Sequence, residues 1–204
     1  MATKNIFLTM LLASSLLLMG CPKECISTTN SYSKTLSFFP KDSVIKVGDT
    51  LWLSGKFSCD SIFNEATQKV DSYCDALIGS TLGITALQTE VTPAVDSFTY
   101  IESKGKCFSV ADANPKTIKQ LSFLYNNKTY EIRIGIVANK KGRYAVGVGN
   151  GLFTNKKDAP ECQKASLNLK PENFDTHIYM LRDFLYPKPV ADLDIEHGYC
   201  FIVK

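Results

Sequence analysis

The chain has 204 residues, 45% of them hydrophobic and 21% charged, with a formal net charge of +3. That is the composition of an ordinary globular domain, and it excludes collagenous, disordered and multi-spanning classes. So small a charge supplies no field for nucleic acid, and no nucleic-acid partner is expected.

The first 20 residues carry a single charge, Lys4, ahead of a run from Ile6 to Met19 in which only Thr9, Ser14 and Ser15 are polar. A helix needs about 20 apolar residues to span a bilayer, so this run is too short. A basic start, a short apolar core and small residues at its end describe a secretory signal. The closing string Leu18-Met19-Gly20-Cys21 resembles the lipobox of bacterial lipoproteins, in which a dedicated signal peptidase cuts before the cysteine. The resemblance implies that Cys21 becomes the mature N-terminus, bearing a diacylglyceryl thioether and usually an N-acyl chain. Each buried methylene contributes about 0.8 kcal/mol, so several chains on one residue fix the protein to a membrane without crossing it. Pro22 follows in place of the aspartate that marks inner-membrane retention, which favours the outer membrane. The expected organisation is a signal peptide at 1–20, a lipidated N-terminus and tether at 21–32, and one disulfide-stapled domain at 33–204.

Seven cysteines are present: Cys21, Cys25, Cys59, Cys74, Cys107, Cys162 and Cys200. With Cys21 given to lipid, an even number remains, and an oxidising envelope turns such sets into disulfides. Spacing does not choose among the connectivities. Cys59–Cys74 is the best single pair, because the polar segment between them reads as one excursion from a strand end. No Cys-x-x-Cys pair is present, so no metal site is expected.

Most of the domain alternates with period two, the mark of half-buried strands. Lys34 to Phe38 opens the series, and Val44 to Val47 precedes a Gly48-Asp49 turn. Leu51, Leu53 and Phe57 then face one way, and Trp52, Ser54, Lys56 and Ser58 the other. Phe98 and Tyr100 alternate with Ser97 and Thr99. Leu121 to Val148 reads as a three-stranded meander turning at 126–128 and 139–142. Tyr199 to Val203 reads as a last strand. Phe174, Ile178, Leu181 and Leu185 share one face of a helix that Asn173 could cap and Pro187 would end. Phe63 to Tyr73 is a second, weaker helical stretch. The whole reads as an antiparallel β-sandwich of seven to nine strands with one or two inserted helices. The segment Ile45 to Leu53 resembles the first hairpin of immunoglobulin-like bacterial surface modules, which implies architecture and no site.

Catalytic signals are weak. Gly79-Ser80-Thr81-Leu82-Gly83 misplaces the serine of a hydrolase elbow and reads as a loop. Gly147 to Gly151 lacks the ending of a phosphate loop and reads as turn or bulge glycines. His177 and His197 have no orienting carboxylate in the sequence. Asp192, Asp194 and Glu196 share a face and read as a solvated edge strand rather than a calcium site. No cofactor and no catalytic residue are expected. Trp52, on the wet face of its strand, is the one candidate for a binding surface, where it would stack on a sugar or anchor a partner; the commoner role for such a residue is to pack under a loop or helix. The expected function is a non-catalytic structural or binding module of the envelope, its partners the membrane and an envelope protein or glycan. The alternative is an extracytoplasmic hydrolase with a glycosidase-like carboxylate pair on the same scaffold.

Overall fold

A computed structural model describes residues 30–88, 90–109, 117–154, 165–172, 177, 179–180, 183 and 198–204. Sixteen strands run through them: β1 (Asn30–Phe39), β2 (Val44–Ile45), β3 (Thr50–Ser58), β4 (Ile62–Asn64), β5 (Lys69–Asp71), β6 (Leu77–Leu87), β7 (Val91–Pro93), β8 (Phe98–Lys104), β9 (Lys106–Phe108), β10 (Ile118–Ser122), β11 (Leu124–Asn126), β12 (Thr129–Ala138), β13 (Gly142–Val148), β14 (Gly151–Thr154), β15 (Ala165–Pro171) and β16 (Gly198–Val203). They form a β-sandwich. The front sheet centres on β12, with β3 along one edge and β8 and β11 along the other. The back sheet centres on the long β6, flanked by β10 and β7 on one side and by β13 and β14 on the other.

β1 belongs to both sheets. Asn30 to Leu36 pairs in parallel with β15 in the back sheet, and Ser37 to Phe39 pairs antiparallel with β3 in the front sheet. Strands that change sheet make the corners of such sandwiches. Tyr32 is fully buried, so the chain is already in the core within the segment expected as a tether. Pairing is mixed rather than wholly antiparallel, since β16 and β2 are also parallel.

Alternation builds the core as expected. Leu51, Leu53, Tyr130, Ile132, Ile134 and Ile136 of the front sheet face Ile78, Leu82, Ile84, Tyr144, Val146 and Phe201 of the back sheet, all buried. The pairings differ from those the sequence suggested. After β12 the chain crosses at 139–141 to the back sheet, where β13 pairs with β6 and β16. The expected meander breaks again at buried Phe123, whose N–H donates to Ile78 O: β10 before it pairs with β6, and β11 after it with β12. Likewise β2 and β3 flank the Gly48-Asp49 turn without pairing, so the immunoglobulin-like hairpin is a crossing between sheets. Alternation specifies a buried face, and both sheets of a sandwich offer one.

The helix expected from Phe63 to Tyr73 is the β4–β5 hairpin instead. Buried Asn64 explains it: its amide donates to Asp71 Oδ2 (2.8 Å) and Asn30 Oδ1 (3.0 Å), and its carbonyl oxygen accepts from the N–H of Ala66 and Thr67. Such side-chain bonds offer the backbone an alternative to helix. Residues 79–83, expected as a loop, lie in the middle of β6, and Ser80 Oγ donates to Gly149 O (2.6 Å). Tyr179, Met180 and Asp183 are helical, while the apolar stripe predicted there lies outside the described residues. Met180 packs with Leu87, Ala145 and Cys200 on the outer face of the back sheet.

Burial pushes the phenols of Tyr32, Tyr130 and Tyr199 up to about 12. An unfolded tyrosine titrates near 10. Between these values the unfolded chain has released protons that the native fold still holds, so stability falls as pH rises. Urea unfolding across an alkaline pH series should therefore show a loss of stability that begins near pH 9, where the buried Cys107 thiol adds its own raised pKa, and steepens from about pH 10 to about pH 12.

Candidate functional site

Trp52 projects from the outer face of the front sheet, opposite buried Leu51 and Leu53, as its alternation predicts. Register places it in a row that crosses four strands. Phe39 of β1 pairs with Trp52, Trp52 with Gly135 of β12, and Gly135 with Ile101 of β8. Three interstrand steps make the row about 14 Å long. Its ends are open, with Phe39 67% and Ile101 44% exposed. Gly135 makes the row possible. A Cβ there would lie 2.9 Å from Thr50 Cγ2, 3.2 Å from Ile101 Cβ and 3.2 Å from the far edge of the Trp52 ring. The indole thus lies over bare backbone.

A polar row runs beside the apolar one. Ser37, Ser54, Arg133 and Lys104 are cross-strand neighbours on β1, β3, β12 and β8. The Arg133 guanidinium stacks 4.7 Å from the Trp52 ring centroid. No carboxylate among the described residues pairs with it. One step further, Glu131 Oε1 takes Lys56 Nζ at 2.7 Å, and Oε2 takes Lys104 Nζ at 3.8 Å. The hydrogen bond from Lys56 holds the Glu131 carboxyl below the usual carboxylate range.

These polar residues border a groove of about 640 Å³ at the point where β1 leaves β3. The strands stop pairing after Ser37 and Ser54 because Leu36 turns over Gly55 into the core. Glu172, just past β15, closes one end and donates its N–H to Leu36 O. The groove therefore holds two carboxylates, Glu131 and Glu172. A glycosidase pair needs one carboxyl kept protonated as the acid. Glu131 is held the opposite way.

The other candidates fall elsewhere. Cys59 and Cys74 form the expected disulfide, Cα atoms 4.9 Å apart, at the far end of β3. Asp60 beside them binds Lys128 at 3.1 Å. Cys107 is a half-buried thiol in this structure, its pKa raised to about 11 by burial, so of the bridges expected among the six cysteines after Cys21, Cys59–Cys74 is the one present among the described residues. Cys200 is buried under Met180, on the outer face of the back sheet. Cys21, Cys25, Cys162, His197, Asp192, Asp194 and Glu196 lie outside the described residues. His177 Nε2 is 3.1 Å from Lys41 O.

Sequence reasoning found Trp52 but missed Phe39, Gly135, Ile101 and Arg133. The available signal was phase: Gly135 and Arg133 share the outward phase of β12, and Phe39 is out of step with buried Leu36 and Phe38. What the sequence lacks is the register that aligns them.

No family model matches the chain, and no curated protein does. Among solved structures it is similar to the cohesin module of a family 33 glycoside hydrolase from Clostridium perfringens ATCC13124. The identity is 10%, the match covers 70% of this chain and 100% of that one, and the TM-score is 0.30. A likeness that slight carries no argument about this protein.

Proposed function

We propose that the protein is a lipid-anchored envelope module that binds its ligand on the outer face of the front sheet. The observation that carries the reading is the cross-strand row Phe39–Trp52–Gly135–Ile101, with Arg133 stacked on the indole. Large aromatic side chains left on a wet sheet face, beside an arginine, have the composition of binding hot spots. The lipobox ending at Cys21 supports the anchor, and Pro22 after it supports the outer membrane.

Two experiments test the two halves. Growth with labelled palmitate should label the wild-type chain, and Cys21→Ala should abolish the label and release the protein from membranes. Unlabelled, soluble wild-type protein would remove the anchor from the account. For the surface, tagged full-length protein in detergent should retain envelope glycan that Trp52→Ala and Phe39→Ala each lose while melting within a few degrees of wild type. Equal retention by all three proteins would place binding elsewhere.

A further inference from the structure

We infer that the ligand of this face is a carboxylated polysaccharide lying across the strands, an inference that rests on the binding surface proposed above. Two adjacent rows on the sheet have different chemistry. The apolar row presents Phe39, the Trp52 edge and Ile101 along about 14 Å, the length of several interstrand steps and a rigid, extended platform. Sugar rings have apolar C–H faces that lie on such side chains. A row of this kind does not enclose a ligand, so it suits a polymer better than a small molecule, which takes a concave pocket.

The second row supplies the charge. Lys56, Lys104 and Arg133 face Glu131 and Glu172 along the groove, so cations are in excess. Glu131 is shared between the two lysines and is spoken for. Arg133 is the group left over. It lies over the Trp52 ring, 4.7 Å from the centroid, and has no carboxylate partner among the described residues. A planar guanidinium held this way is a ready bidentate receptor for a carboxylate. Ser37 and Ser54, next in the row, add hydroxyls that both donate and accept, as sugar hydroxyls require. The apolar row and the carboxylate-binding group therefore meet at Trp52 and Arg133. A polymer of uronates offers an apolar ring face with a carboxylate at its edge. An acidic peptide carries the charge without the ring face, and a neutral glycan the ring face without the charge.

The test is calorimetry of full-length protein in detergent against galacturonan and mannuronan oligomers, a neutral galactan of matched length, and polyglutamate. At least one uronate oligomer should bind about tenfold or more tightly than galactan and polyglutamate. Its affinity should fall with salt. Arg133→Ala should weaken it about tenfold, with Arg133→Lys restoring only part, because the ammonium lacks the planar fork. Equal affinity for galactan, equal affinity for polyglutamate, or no binding of either uronate overturns the inference. If Trp52→Ala still loses envelope glycan in that last case, the binding surface stands and only the ligand class fails; if it does not, both fail.

Discussion

Replacing Cys59 and Cys74 together by alanine should lower the unfolding free energy by about 3 kcal/mol, the loop-entropy contribution of a closed loop of this length. The bridge joins residues 15 apart and encloses the β4–β5 hairpin. It acts mainly on the unfolded chain, because the native loop is also held without it. Tyr73 donates its N–H to Cys59 O (2.8 Å), and its carbonyl accepts from Tyr130 Oη (3.0 Å), which in turn accepts from Ala76 N–H (3.0 Å). Tyr73 also packs against Tyr32, ring centroids 5.6 Å apart. The native structure of the variant should therefore be unchanged, and its urea m-value should rise as the unfolded state expands. A loss under about 1 kcal/mol would mean that the unfolded loop is already restrained without the bridge.

The second large effect falls where the two sheets separate. Leu36 is 1% exposed, and its Cδ2 lies where a Cβ on Gly55 would sit. Leu36→Ala should cost about 2–5 kcal/mol through lost burial and the cavity left behind. Gly55→Ala should cost about 1–3 kcal/mol by overpacking, since its methyl group needs the space that Leu36 fills. In the double variant that methyl enters the hole. The two costs should therefore fall short of additive by about 0.5–3 kcal/mol, measured as a double-mutant cycle in urea. Additive costs would show that Leu36 and Gly55 do not share one space.

Alternation made the faces legible. Leu51, Leu53 and Phe57 point inward and Trp52 outward, as their phase requires. The disulfide between Cys59 and Cys74 was legible as an excursion from a strand end. Pairing was not legible. Tyr144, Val146 and Val148 alternate as a neighbour of β12 would, yet they face β12 across the core. The residues 63–73 looked helical because residue type alone does not say which bonds Asn64 makes, to Asp71, Ala66 and Thr67 within the hairpin and to Asn30 more than thirty positions earlier. The same limit hid the site. Phe39, Trp52, Gly135 and Ile101 are scattered in sequence, and only register brings them into one row.

Trp52 is the single tryptophan of the chain, so its emission reports on the proposed surface alone. The most direct measurement is acrylamide quenching of that emission in full-length protein, before and after saturation with a uronate oligomer whose binding calorimetry has established. The account predicts that saturation shifts the emission to shorter wavelength and lowers the quenching constant, because the sugar rings cover the exposed edge of the indole. Emission and quenching unchanged at saturation would contradict it, since the ligand would then be bound somewhere other than the row that Trp52 centres.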